Sequence, residues 1–223
     1  MSRAAILAKV RAALKVEPAQ DAARRAAVGA RLAGAGGHLV PARARGSGEE
    51  LVRLFKSFLG AQGTDLIEVA ARAEIPGAIV RYLEAQNLPL GVRTGSDPNL
   101  AELPWADAPD LVRECGPARP DDLAGLSRAI AGVAETGTLV LASGPHNPVT
   151  LAFLPDTHLV VVRRETIVGS YEEACGLVAV ELGSAQLPRT LNLISGASRT
   201  GDIGGRIVMG AHGPRRLAVF LVG

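Results

Sequence analysis

The stretch Leu191-Asn192-Leu193-Ile194-Ser195-Gly196-Ala197-Ser198-Arg199-Thr200-Gly201-Asp202 joins a short apolar run to a small, polar one. The apolar part is bounded by Pro188 and Gly196 and has the length of a buried strand. A strand that ends in glycine and opens onto Ser and Thr commonly presents N–H groups and side-chain donors to a ligand. The stretch therefore predicts a strand followed by a ligand-binding loop.

The charged residues of this loop allow two interpretations. Arg199 offers a planar fork of donors that suits a carboxylate or a phosphate, and Asp202 could hold Arg199 in place or accept from a bound hydroxyl. In the other interpretation, Ser198 or Thr200 caps a short helix and Arg199 simply pairs with Asp202. Spacing alone leaves both open.

Outside this stretch, the composition favours an α/β fold. Aromatic residues make up only 3% of the 223 residues, so small aliphatic side chains must fill the core. Such a core suits helices that lie on a parallel sheet. The length fits one domain with an added arm, and we place the boundary between a basic helical arm with a flexible linker, residues 1–45, and an α/β domain, residues 46–223.

The arm differs from the body in charge. Residues 1–45 have a formal charge of +7 and the remaining residues −5, which gives the chain a net +2. The arm could bind an acidic partner, or the acidic body of its own or a neighbouring subunit in a homo-oligomer. It has no aromatic residue for base stacking, so nucleic-acid binding is not expected.

The two cysteines, Cys115 and Cys175, are far apart and form no C-x-x-C pair. We therefore expect no metal site and no iron–sulfur cluster held by this chain's own motifs. No apolar run approaches the ~20 residues of a membrane span, and the sequence shows no signal-peptide pattern. These features predict a cytoplasmic protein with reduced thiols and no membrane span.

The body alternates strands with helices, which predicts a mostly parallel sheet with helices on both faces. Capping boxes at Ser47–Glu50 and Ser170–Glu173 predict two helix starts. Apolar runs predict strands at Leu66–Val69, Leu90–Val92, Leu111–Glu114, Ala129–Ala134, Thr138–Ala142, His158–Val162, Ile167–Val168, Ile207–Met209 and Leu217–Val222. We expect the last two runs to complete the sheet.

Two further segments carry candidate catalytic groups. Glu135 lies between two apolar strand segments and is either a structural hydrogen-bonding group or a nucleophile or base at a strand end. The nearby Gly137 would let a ligand or a backbone segment approach closely. His212 could polarise a substrate, bind an anion, or bond a turn carbonyl. His158 opens a strand and is predicted to be structural.

Four motifs occur in a fixed order and together carry a family resemblance. They are Ala134-Glu135-Thr136-Gly137-Thr138-Leu139, Leu154-Pro155-x-x-His158, Ser195-Gly196-Ala197-Ser198-Arg199-Thr200-Gly201-Asp202-Ile203 and Gly210-Ala211-His212-Gly213-Pro214. The chain closely resembles, over about residues 50–222, the LutC/YkgG lactate-utilisation protein family, which has a stand-alone LUD domain. The resemblance implies a fold like the NagB/RpiA/CoA-transferase group. It also implies a part in oxidising L-lactate to pyruvate, alongside two iron–sulfur partner proteins that hold the clusters.

We expect the polar residues of these motifs to converge on one pocket outside the carboxyl ends of the strands. The candidate catalytic residues are Glu135 and His212. The candidate ligand-binding residues, for a small carboxylate or phosphate, are Thr136, Gly137, Gly196, Ser198, Arg199, Thr200, Asp202 and Gly213.

Two other functions remain open at this point. Glu135-Thr136-Gly137 is similar to the E-x-G of CoA transferases, so the protein could be a free-standing enzyme acting on an acyl-CoA or a sugar phosphate. Alternatively, it is a structural subunit without chemistry of its own, and the motif residues serve packing. The sequence does not decide whether the chain is itself an enzyme or an accessory subunit.

Overall fold

The computed structural model describes residues 2–15, 17–33, 39–183, 187–203 and 206–223. The chain divides into a short unit, Met1–Val40, and a main unit, Pro41–Gly223. The short unit contains helices α1 (Arg3–Ala13) and α2 (Asp21–Ala33). Ser2 caps α1, because its hydroxyl accepts a hydrogen bond from the backbone N–H of Ala5 at 3.3 Å.

The main unit is built from four helices and twelve strands within the described residues. The helices are α3 (Gly48–Ala61), α4 (Ile75–Ala85), α5 (Pro98–Ala101) and α6 (Tyr171–Leu182). The strands are β1 (Asp65–Val69), β2 (Gly91–Thr94), β3 (Val112–Cys115), β4 (Ala124–Arg128), β5 (Ala131–Val133), β6 (Thr138–Ala142), β7 (Thr157–Arg163), β8 (Ile167–Val168), β9 (Leu191–Ile194), β10 (Arg199–Ile203), β11 (Arg206–Met209) and β12 (Arg216–Val222). No helix among the described residues is long and apolar enough to cross a membrane.

Six strands form a sheet in the order β1-β12-β7-β4-β2-β3, and every pairing in it is parallel. Its central strands β7 and β12 are mainly apolar on both faces, because helices or a second sheet cover both. In β7, Leu159 and Val161 pack on the side of α4, whereas Val160 and Val162 pack on the side of α3. The predicted α/β fold, with a mostly parallel sheet and helices on both faces, is confirmed.

A second, four-stranded sheet has the order β8-β5-β6-β9. Strand β6 pairs antiparallel with both neighbours, and its side chains alternate between two cores. Leu139 and Leu141 pack with α3 and the six-stranded sheet, whereas Val140 packs with Ala174 and Val178 of α6. The main unit therefore stacks α4, the six-stranded sheet, the four-stranded sheet and α6.

Both predicted capping boxes are confirmed. The Glu50 carboxylate accepts from the backbone N–H of Ser47 at 2.8 Å and starts α3. At α6, the Glu173 carboxylate accepts from the Ser170 N–H at 3.0 Å, and the Ser170 hydroxyl accepts from the Glu173 N–H at 3.3 Å. The reciprocal bonds satisfy N–H groups that have no partner inside the helix.

The region after Pro188 differs from the prediction in three ways. Strand β9 forms, but it is an edge strand and Leu193 is 54% exposed, so it is not buried. The predicted loop does not start a capped helix, since Arg199–Ile203 forms β10. Strand β10 pairs antiparallel with β11, so Ile207–Met209 forms a separate hairpin and does not extend the six-stranded sheet. Strand β11 finds its hydrogen-bonding partner in β10, which directly precedes it in the chain. In the predicted position it would have needed a partner strand that is distant in sequence.

Candidate functional site

Part of the predicted loop lines a cleft of about 220 Å³. One wall is the end of β9 with Ser195–Ser198, and another is the segment His212–Pro214 that precedes β12. The remaining lining residues are mostly apolar: Ala152, Phe153, His158 and Leu217. Of the predicted site residues, Gly196, Ser198, His212 and Gly213 therefore lie together at this cleft.

Backbone hydrogen bonds fix Ser198 between the two walls. Its N–H donates to the Pro214 carbonyl at 2.8 Å, and its carbonyl accepts from the Gly210 N–H at 2.8 Å. The Ser198 hydroxyl also accepts from the backbone N–H of His212 at 3.3 Å. Ser198 thus joins the two polar segments, and the part of the chain that the structure describes offers no acceptor for its hydroxyl hydrogen.

His158 is the most deeply placed polar residue of the cleft. It is 1% exposed, and neither ring nitrogen has a hydrogen-bond partner among the described residues. Removal from water lowers the pKa of His158 to about 3, so the ring is neutral at physiological pH. A buried polar group without a partner costs about 1–3 kcal/mol, so this position is an expensive one for a purely structural histidine.

The neutral state of His158 predicts a loss of stability in mild acid. In the unfolded chain the imidazole has its ordinary pKa of 6.5, so below that pH the unfolded state binds a proton that the folded state does not bind. The free energy of unfolding should therefore fall as the pH drops below 6.5, by about 2 kcal/mol at pH 5 from this group. Urea titrations across this range measure it.

The His158→Leu variant is the control for this acid effect. It has no titrating group at the position, so its free energy of unfolding should fall about 2 kcal/mol less than that of the wild type between pH 6.5 and 5. If the free energy of unfolding fell equally with pH in the two proteins, His158 would be accessible to protons in the folded state.

The Glu135 motif lies in the turn between β5 and β6 and does not line the cleft. Glu135 is 7% exposed, and its N–H donates to the Gly169 carbonyl at 3.2 Å. Gly137 has φ +65°, and a Cβ there would lie 2.7 Å from Cβ of Phe58 and 2.8 Å from the Leu59 nitrogen. Gly137 therefore permits the β5–β6 turn to pack closely against α3.

A hydroxyl network connects this turn to the cleft. The Thr136 hydroxyl lies 2.7 Å from that of Thr138 and 2.9 Å from the Tyr171 hydroxyl. The Thr138 hydroxyl is also within 2.9 Å of Tyr171 and 2.5 Å of the Ser195 hydroxyl, and Ser195 lines the cleft. The turn thus contacts the cleft indirectly, because these hydroxyls fix the position of Ser195.

The other loop residues lie on β10, which directly follows Ser198, and they do not line the cleft. Arg199 is exposed, and its Nη2 lies 3.0 Å from the position that a Cβ on Gly63 would take. Thr200 opposes Val208 in the hairpin. The side chain of Asp202 lies outside the described residues, and so does the predicted pairing with Arg199. Within the described residues, no group of three or more His, Cys, Asp or Glu could hold a metal ion.

The cleft is not at the end of the sheet where it was expected. His158 and Leu217 are each the second residue of their strands and lie side by side in the register, so the cleft opens at the amino ends of β7 and β12. A cavity of about 410 Å³ lies at the carboxyl ends of β2 and β4. There Arg128 donates to Asp97 at 2.8 Å and to Glu181 at 2.5 Å, and none of the predicted site residues lines this cavity.

The parallel sheet, the mixed second sheet and the polar motif loops together define a LUD-type α/β protein, and comparison with known proteins agrees. Residues 123–222 match the family described as LUD domain. Lactate utilization protein C of Deinococcus radiodurans is 32% identical over 183 residues, which cover 78% of this chain and 80% of that protein. The chain therefore belongs to the LUD-domain family that includes lactate utilization protein C.

Other relatives extend the comparison. Lactate utilization protein C of Geobacillus kaustophilus is 28% identical over 79% of this chain and 80% of that protein. An uncharacterized protein of Neisseria meningitidis is 39% identical, but over 44% of this chain and 42% of its own length. The crystal structure of a DUF162 family protein from Deinococcus radiodurans matches 79% of this chain and 99% of that one, with TM-score 0.60 and 28% identity.

Proposed function

We propose that this protein is a component of a cytoplasmic L-lactate utilisation system, in which L-lactate is oxidised to pyruvate together with iron–sulfur partner proteins. The similarity to lactate utilization protein C, which extends over 80% of that protein, is the observation that carries the proposal. Within the system, the part of this chain is to bind a small anionic ligand at the cleft between Ser195–Ser198 and His212–Pro214.

The chemistry of the cleft supports a binding role. Oxidation of L-lactate to pyruvate releases two electrons and two protons, and the Ser and His side chains of the cleft can bind a ligand and move a proton but do not take up electrons. The electrons would pass to an iron–sulfur cluster of a partner protein. None of the described residues that line the cleft is Asp or Glu, so an anion meets no like charge there.

Growth on L-lactate tests the proposed role. Deleting the gene in the source organism should abolish growth on L-lactate as the sole carbon source and leave growth on pyruvate unchanged. The wild-type gene and the Ser57→Ala variant, which changes an exposed hydroxyl on α3, should restore growth. Ser198→Ala, which removes the acceptor for the His212 N–H, should restore it less well. Normal growth of the deletion strain on L-lactate would contradict the proposal.

The partners can be tested with the same cells. A tagged copy of the full chain, isolated from cells grown on L-lactate, should bring down proteins that contain iron and acid-labile sulfide. The mass of the purified chain in solution, measured by light scattering, tells whether it also forms a homo-oligomer. Recovery of the chain without any iron-containing protein would count against iron–sulfur partners.

A further inference from the structure

The segment 187–216 of the α/β domain differs in charge from the rest of that domain. It has a formal charge of +4, with Asp202 as its one acidic residue, whereas the other residues between 46 and 223 sum to −9. Six basic side chains elsewhere in the domain form ion pairs, but among the described residues none of the arginines of this segment does so. These arginines are Arg189, Arg199, Arg206, Arg215 and Arg216. Their charges are therefore available to an acidic surface.

The β10–β11 hairpin in this segment leaves one of its faces uncovered. Arg199 lies opposite Met209, and Ile207 lies on the same face because it is two residues from Met209 along β11. Ile207 is 75% exposed and Met209 is 39% exposed, and Arg199 is also exposed. A two-stranded hairpin is marginally stable by itself in water, so a partner that covers this face would stabilise it.

The uncovered face continues to the mouth of the cleft. Gly210, which directly follows β11, donates its N–H to the carbonyl of Ser198, and a Cβ on Gly210 would lie 2.8 Å from Cβ of the exposed Arg215. Ser198 lines the cleft together with Phe153 and Leu193, which are 45% and 54% exposed. We call the following residues the docking face: Phe153, Leu193, Arg199, Ile207, Met209 and Arg215.

The composition of the docking face is typical of a protein–protein interface. Arginine, methionine and aromatic residues are enriched at such interfaces, whereas lysine and glutamate are depleted. The loop that carries Phe153 adds one acidic residue, Asp156, so the surroundings of the face keep a net positive charge. A surface for single-stranded nucleic acid would present several aromatic side chains for base stacking, and here Phe153 is the one aromatic residue.

The charge pattern also argues against a second copy of the chain as the occupant. In a two-fold symmetric dimer the docking face would meet itself, and the exposed Arg199 and Arg215 would repel their equivalents. The acidic residues of a second copy lie mostly outside the segment 187–216. A contact with them would be head-to-tail, and such a contact does not close by a two-fold axis.

We infer that the docking face binds a partner protein whose surface has acidic side chains around an apolar centre. Ile207 and Met209 enter the apolar centre, and Arg199 and Arg215 pair with carboxylates at its rim. The partner would cover the mouth of the cleft, so a ligand bound there would be enclosed between the two proteins. The inference rests on the proposed function only in taking this partner to be an iron–sulfur protein.

The partner is obtained with the tagged full chain from cells grown on L-lactate, at low salt, and is then purified. Isothermal titration of this purified partner into the full chain should show an affinity that falls at least about 10-fold between roughly 50 and 500 mM salt, because salt screens the attraction between exposed charges. An affinity that does not change with salt, or a wild type that retains no partner, would overturn the inference.

Two variants with matched controls locate the contact. Ile207→Asp should weaken binding at least about 10-fold, because it places a carboxylate in the apolar centre. Val180→Asp makes the same change at an 83% exposed valine of α6, outside the docking face, and should bind as the wild type does. Arg215→Glu should weaken binding and reduce its dependence on salt, whereas Arg81→Glu, on an exposed arginine of α4, should do neither. All four changes are at exposed side chains, and thermal melting checks that each variant is folded.

Three results would contradict the inference. Equal binding by Ile207→Asp and Val180→Asp would place the partner on another surface. If light scattering showed that the wild type is an oligomer and Ile207→Asp alone is a monomer, the occupant would be a second copy of the chain. If nuclease treatment released the bound material, the occupant would be a nucleic acid.

The two proposals can fail separately. If the captured partner binds through Ile207 and Arg215 but contains no iron, the docking face stands and the iron–sulfur partner of the proposed function fails. If an iron-containing partner binds Ile207→Asp and Arg215→Glu as tightly as the wild type, the docking face fails and the proposed function stands.

Discussion

Replacing Phe55 with alanine is expected to lower the free energy of unfolding by about 3–5 kcal/mol. The Phe55 ring is 0% exposed and lies in the core that α3 shares with both sheets. It also fills the space beside Gly132 of β5, where a Cβ would lie only 2.8 Å from the ring. Removing the ring leaves a cavity between α3 and the two sheets. Because the hydrogen bonds of the sheets restrict movement of their strands, the surrounding residues cannot move in far enough to fill the cavity.

Phe58 provides the matched control for this change. It is on the same helix three residues later, is half-buried, and has the Arg43 guanidinium 5.9 Å from its ring centroid. Phe58→Ala removes the same number of atoms from a site that water already reaches, so it should cost clearly less than Phe55→Ala. Urea denaturation measures both. Equal losses for the two variants would show that the core on α3 is looser than its burial indicates.

The second large effect is expected for Gly137→Ala, which should destabilise the protein by roughly 2–5 kcal/mol. The backbone there has φ +65°, which is unfavourable for any residue with a Cβ, and the added methyl would meet Phe58 and the backbone of Leu59. The β5–β6 turn would have to move away from α3. Thermal and urea unfolding both report this change.

Gly60→Ala is the corresponding control, since Gly60 lies in α3 and, among the described residues, only its own helix comes within 4 Å of the position that a Cβ would take. This variant should be neutral or stabilised by up to about 1 kcal/mol, because alanine favours the helix. If Gly137→Ala were as stable as the wild type but bound L-lactate poorly, Gly137 would be a ligand contact and not a packing residue.

The sequence predicted those elements whose stabilising contacts are local. The capping boxes at Ser47 and Ser170 are satisfied within four residues, and the apolar runs at β7 and β12 are covered on both faces wherever the sheet places them. The length of the apolar run at β9 correctly indicated a strand, but the strand was expected to be buried and is largely exposed. Its exposure depends on its edge position in a sheet whose order no local pattern encodes.

The candidate site was only partly accessible from the sequence, for the same reason. Ser198 and His212 lie near each other because the Ser198 N–H donates to Pro214, and both polar loops had been identified. His158 was not identified as a site residue, because a histidine at the second position of an apolar strand looks like a core residue. Only the three-dimensional structure shows that it lines a cleft and has no partner among the described residues.

The position of β12 in the six-stranded sheet has a consequence for how the protein is made. Strand β1 pairs with β12, so Asp65 can take its place in the sheet only after Ala218 has been synthesised. Strand β12 also pairs with β7. While the ribosome is still adding the segment between them, β1 has no neighbour and one side of β7 is open, although α3 and α4 can already have formed. Contacts of such large sequence separation slow folding, and open strand edges attract other chains. The nascent protein should therefore depend on chaperones until residues 216–222 emerge, and a chain that stops short of β12 should be degraded or aggregate.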